Sequence, residues 1–231
     1  MFWEEMLPGL WRFWNNPVDG IGSHSYFILS PHGNVIFEGA TIYSEEALEF
    51  MKTAGGVRFA AASHPHTYGA LWQLQDHFEA NIALHPADFE WTVAMRVTHP
   101  FDDQLGIAED LRLLHAGVHF AGQAFLHDRH HGILFCGDAL KFECAEDDAR
   151  RAIAISSHKS YVRSVPVTPR EAESYRSVFR RLPFDKTYSP FEQVHNVGST
   201  QVDRFLSRVI DDFPQSRFIE IRSLDASSPR K

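Results

Sequence analysis

The segment Val57-Arg-Phe-Ala-Ala-Ala62, followed at once by Ser63-His-Pro-His66, constrains this chain more than any other feature. A short apolar run rich in small residues reads as a buried strand. Two histidines one residue apart at its end can turn both imidazoles into one cavity, the usual presentation of a metal-binding His-x-His. Fourteen histidines in 231 residues supply further candidates. Their placement matters more than their number, since His130-His131 reads as part of the hairpin turn Asp128 to Gly132 and is expected to face solvent, as is His127.

Three later positions fit the same pattern. Gly117-Val-His119-Phe-Ala-Gly122 sets a histidine in a glycine-bordered loop between strands, Leu134-Phe-Cys-Gly-Asp138 ends an apolar strand in Gly-Asp, and Val194-His195-Asn196 closes a short segment between two helices. Loops at one edge of a sheet meet, so these side chains could converge on one metal. His24, His85 and His115 read as hydrogen-bonded structural histidines, and Cys136 as a buried small hydrophobe.

Periodicity supplies the frame. Strands are expected at Leu10 to Phe13, Ser25 to Leu29, Val35 to Phe37, Val57 to Ala62, Ile82 to Leu84, Leu111 to Leu114, Gln123 to His127 and Ile133 to Cys136. Ser44-Glu-Glu opens a helix that stops at Gly55-Gly56, and a second spans about Tyr68 to Phe78. Thr168-Pro-Arg-Glu171 is a capping box with proline at the first helical position, predicting a helix to about Arg181, and a last helix runs from about Thr200 to Phe213. The order is mixed α/β without regular βαβ alternation. No repeat or linker divides residues 1–231, so one domain with a core over about 8–215 and a loose tail at 225–231 is expected.

At this length a full hydrophobic core needs no disulfide or structural metal, and two cysteines form no disulfide framework. The acidic N-terminal residues do not suit a signal peptide and no segment is apolar enough to span a membrane, so a cytoplasmic location is expected. The net charge of −8 argues against nucleic acid. Arg150 to Lys186 holds nine Lys+Arg against three Asp+Glu. Most of that reads as a solvated helix face; the sharper reading places Arg150, Arg151, Lys159 and Arg163 near a pocket for an anionic small-molecule substrate. Trp3, Trp11 and Trp14 are compatible with a core or with a homodimer interface.

Together these residues resemble the metallo-β-lactamase superfamily, whose signature is a His-x-His-x-Asp-His loop, a downstream histidine, a Gly-Asp ending a strand and a final histidine. Gly22-Ser-His-Ser-Tyr26 and Val35-Ile-Phe-Glu-Gly39 resemble its opening strands, and the resemblance covers about residues 8–215. It implies a fold of α/β (α+β) class: a four-layer αββα sandwich of two mixed β-sheets with outer helices. It implies His64, His66 and His119 as the first metal site, Asp138 as a carboxylate shared between two metals, and His195 as the last ligand. Tyr68 and Gly69 stand where the second site's aspartate and histidine belong, and Asp76 and His77 lie eight residues further, about 12 Å along a helix. One ion, or a second one held weakly, is therefore expected, zinc first, with iron or manganese open. Asp138, Tyr68 and His195 are the catalytic candidates, Glu38 a support for the ligand loop. The resemblance implies a metal-dependent hydrolase of esters, thioesters, amides or phosphoesters. A catalytically degenerate binding module and an iron-dependent redox protein stay open beside it.

Overall fold

A computed structural model describes residues 1–16, 22–158, 165–213 and 219–225. Lys159, Arg163 and the tail from 226 onward, each the subject of an expectation above, lie outside the described residues. The chain divides into two compact units: Met1–His115 with Phe120–Leu126, and Ala116–His119 with His127–Lys231.

The first unit is built on a six-stranded sheet. Strands β1 (Phe2–Leu7), β2 (Leu10–Trp14), β3 (Ser25–Ile28) and β4 (Val35–Phe37) run antiparallel in that order. After α1 (Glu45–Thr53), β5 (Phe59–Ala61) pairs parallel to β4, and after α2 (Leu71–Phe78), β6 (Asn81–Ala83) pairs parallel to β5. Parallel neighbours need a crossover, and the two helices supply it. Ser44 caps α1 through its side-chain oxygen, which accepts the Ala47 N–H. Ala47, Leu48 and Met51 of α1 and Leu71 and Leu74 of α2 join Ile36, Ala60 and Ile82 of the sheet in one core. Hairpin β7 (Gln104–Ala108) and β8 (Leu111–His115) follows in this unit, which also holds Ala124–Leu126 of β9 (Ala124–Asp128); β10 (Ile133–Phe135) comes next in the chain.

The second unit adds β11 (Lys141–Ala145), β12 (Asp148–Ser156), α3 (Pro169–Phe179), β13 (Lys186–Tyr188), β14 (Gln193–Val194), α4 (Ser199–Asp211), β15 (Ile219–Glu220) and α5 (Arg222–Asp225). A second six-stranded sheet has the order β14-β13-β10-β9-β8-β7, and β11-β12-β15 form a small third one. The capping box is present, Thr168 and Glu171 exchanging hydrogen bonds at the start of α3. Helix α3 lies against α4, where Arg176 Nε bonds Asp203 at 2.8 Å. The expected architecture of two large mixed sheets with helices is what the chain adopts. Among the described residues no helix is long and apolar enough to cross a membrane.

Arg150 and Arg151 lie on strand β12, and Arg170 and Arg176 on α3. Two expectations are corrected. His127 is buried, its Nε2 against the Pro183 carbonyl at 2.9 Å. His131 holds the buried Asp128 carboxylate at 2.6 Å through Nδ1, so only His130 of the three faces solvent. A strand exit that closes on a buried aspartate draws these rings inward, a pairing that a turn-like sequence does not reveal.

Candidate metal centre

In the first unit the His-x-His loop is held by one carboxylate. Glu38, 1% exposed, stands at φ +64°, the left-handed region that side chains rarely adopt. Its Oε2 accepts the Ser63 N–H at 2.8 Å and the Thr67 hydroxyl at 2.5 Å. Pro65 opens a 3-10 turn over Pro65–Thr67, closed by the Thr67 N–H donating to His64 O at 3.0 Å. The loop is thus bonded at both ends to a buried acceptor, and strain at residue 38 is retained because the acceptor needs it.

The two histidines meet on that turn. His64 is buried and His66 exposed, with ring centroids 5.2 Å apart and one ligand nitrogen of each within 4.8 Å of the other. The Ser63 hydroxyl lies 2.7 Å from His64 Nδ1, the kind of supporting bond that fixes an imidazole's orientation. Phe120 packs on both rings, at 5.5 Å from His64 and 5.0 Å from His66.

Replacing Glu38 by Ala would leave the buried Ser63 N–H without its acceptor, at a cost of about 1–3 kcal/mol, and the Thr67 hydroxyl with the His64 carbonyl at 3.0 Å in place of the carboxylate. The expected outcome is a loss of about 1–3 kcal/mol in urea unfolding. An unchanged midpoint would show that Glu38 does not hold the loop.

The next two residues, at the positions where the His-x-His-x-Asp-His signature has aspartate and histidine, are held in the core and against backbone. Tyr68 is 6% exposed, its ring in the core with Ala40 and Leu71, and burial with the nearby Asp88 and Glu38 carboxylates pushes its phenol well above the usual tyrosine range. It is a neutral phenol at any physiological pH. Gly69 has φ +43°, and a Cβ there would stand 2.3 Å from the Ala40 carbonyl oxygen. Position 69 admits glycine alone without rearrangement, which the sequence comparison of motifs could not show.

In the second unit, His119 sits in the loop after β8 and Asp138 in a 3-10 turn, Gly137–Ala139, at the end of β10. His119 Nε2 lies 3.9 Å from Asp138 Oδ2, with both side chains 3% exposed. Lys141 Nζ is also 3.9 Å from that oxygen, a neighbour that the motif reading did not include. Cys136 is buried as expected.

The structure therefore brings His64 together with His66, and His119 together with Asp138. His195 has another engagement: its Nε2 bonds the Tyr188 hydroxyl at 2.9 Å and its ring stacks on Tyr188 at 5.8 Å. Burial, then the charges of Arg150 and Lys186, holds its pKa below the ordinary histidine value. Among the described residues, no group of side chains able to hold a metal includes His195. His85 and His115 stack at 3.8 Å; His115 Nε2 lies 2.8 Å from Ala121 O, and His85 Nδ1 accepts the Ala87 N–H.

No family model matches the sequence. The chain is 26% identical to the uncharacterized protein YmaE of Bacillus subtilis (strain 168) over 196 residues, 80% of this chain and 68% of that protein. Its fold superposes on a metallo-β-lactamase from Pontibacter korlensis with a TM-score of 0.62 and 13% identity, covering 91% of this chain and 99% of the other. The flavodiiron protein from Giardia intestinalis gives a TM-score of 0.65 at 13% identity, over 92% of this chain and 60% of that one. The chain has the metallo-β-lactamase fold.

Proposed function

We propose that His64, His66, His119 and Asp138 are the ligands of one metal ion, and that the protein is a metal-dependent hydrolase acting on an ester, thioester, amide or phosphoester bond. The observation that carries this reading is the donor set itself, three imidazoles and one carboxylate, each offering one ligand atom. That set would suit zinc, and iron or manganese as well. With Nδ1 of His64 beside the Ser63 hydroxyl, Nε2 is the nitrogen that a metal would take.

A divalent ion so held supplies a Lewis acid and acidifies water toward neutrality. The chain's own residues do the rest. Asp138 orients the attacking water and takes up its proton, and Lys141, 3.9 Å away, supplies positive charge beside that carboxylate. Tyr68 stays protonated and serves, at most, as a hydrogen-bond donor. His195, bonded to Tyr188, is proposed to act as a general acid or base at the outer edge of the reaction and not as a ligand. A single ion is favoured because Tyr68 and Gly69 offer no second pair of ligands.

The test is turnover. Protein loaded separately with zinc, iron and manganese is offered p-nitrophenyl esters, an acyl thioester and a phosphodiester. Hydrolysis of at least one of these substrates, removed by chelator, is the expected result. Absence of turnover with every metal would favour the degenerate reading, and oxygen or peroxide consumption by the iron form alone would favour the redox one.

A further inference from the structure

Between β6 and β7 the chain runs through 20 residues, Leu84 to Asp103, with only the 3-10 turn Pro86–Trp91 inside them. Structureless segments of that length in a compact domain are usually functional. This one is anchored at both ends. The Asp88 carboxylate accepts the Gly122 N–H, Gln75 bonds both the carbonyl and the N–H of Arg96 at 2.8 and 2.9 Å, and Thr98 accepts the Ile82 N–H at 2.9 Å. Met95 and Val97 pack on the first unit's core.

What lies between these anchors is apolar and exposed. Phe89 is 40% exposed, Trp91 52% and Val93 94%. Several large apolar side chains held in water along one pre-formed segment point to a binding surface. Its position is specific: Trp91 stands edge-on to Phe120 at 6.3 Å and 87°, and Phe120 is the ring that packs on His64 and His66. A continuous aromatic path thus leads from the exposed segment to the His-x-His turn. Residues 86–95 carry Asp88 and Glu90 and no Lys or Arg, so this wall does not suit an anionic group.

We infer that Phe89, Trp91 and Phe120 form an apolar subsite beside His66 that receives the acyl chain of the substrate. The inference rests on the hydrolase reading for its chemistry and on the first unit alone for its geometry. It names the substrate class as an ester or thioester of an apolar, medium-chain acid. Extra methylenes that find apolar surface gain binding, and on a half-exposed wall a preference of about tenfold for an eight-carbon over a two-carbon acyl group is expected.

Two arms test it with the metal-loaded full chain. The first compares p-nitrophenyl octanoate with the acetate by kcat/KM, in the wild type and in Trp91→Ala and Phe89→Ala, both exposed positions that the core does not need. The second compares the affinities of octanohydroxamic and acetohydroxamic acid by calorimetry in the same proteins. A tenfold preference that falls to near unity in Trp91→Ala is the expected result in either arm. Should no ester turn over while the hydroxamate preference is present and lost in Trp91→Ala, the subsite stands and the hydrolase reading falls. Lack of preference in both arms, or a preference that survives both substitutions, overturns the subsite. So does a dimer in sedimentation that Trp91→Ala dissolves without any chain-length effect, since the face would then belong to a second copy.

Discussion

His66→Ala and His119→Ala chains, purified without chelator and offered zinc, should each retain far less than one ion per chain where the wild type holds about one. Loss of a residue that merely supports a ligand costs about 10–100-fold in metal affinity, so loss of a ligand from a set of four should cost a hundredfold or more. The two variants come from different parts of the chain and fail for the same reason only if one ion joins them. His66 is exposed on a turn whose own hydrogen bond runs between the Thr67 N–H and the His64 carbonyl, so truncating its ring spares the fold. His119 is 3% exposed at its side chain, and its variant needs a thermal-unfolding control. Zinc should raise the wild-type melting temperature, since a ligand at a thousandfold its dissociation constant stabilises the native state by about 4 kcal/mol. It should leave both variants unmoved. Elemental analysis reads the outcome directly, and stoichiometric zinc retained in either variant would sink the assignment of all four ligands.

The parts of this molecule that were legible beforehand are those whose cause is local. Ser44 with Gly55-Gly56, and Thr168 with Pro169 and Glu171, carry helix ends within a few residues, and both helices form where the caps place them. Val35–Phe37 is apolar on both faces and lies inside its sheet, between β3 and β5. Strand β1 escaped notice because it lies at a sheet edge with Phe2, Glu4 and Glu5 exposed, so its sequence shows no buried face to read. His64 and His66 were readable as a pair because one turn joins them, whereas Lys141 beside Asp138 and Phe120 against both imidazoles are products of tertiary placement. Histidine burial was misjudged for the same reason: His127 and His131 sit in a segment that looks like a solvated turn, yet Pro183 and Asp128 supply buried partners.

Gly69 carries the second large effect. A Gly69→Ala chain should lose about 3 kcal/mol or more in urea unfolding, from a left-handed backbone that disfavours a side chain by about 1 kcal/mol and from an overlap costing about 1–3 more. The overlap is with backbone: the added Cβ would stand 2.3 Å from Ala40 O and 2.8 Å from Gly39 O, neither of which can rotate away. Gly39 has the reciprocal constraint, since its own Cβ would meet Tyr68 O at 2.2 Å. Hydrogen bonds from the Gly39 N–H to Thr67 O at 2.7 Å and from the Ala70 N–H to Ala40 O at 2.8 Å hold the two segments at this separation. A Tyr68→Asp, Gly69→His double variant, which restores the family's ligand types at those positions, is therefore expected to gain no second ion and to unfold at lower denaturant than the wild type. Were it to fold with an unchanged midpoint and bind two ions, the close approach would be shown not to govern the site. The expected failure would place the cause of the proposed single-ion binding in the path of the backbone, not merely in two missing side chains.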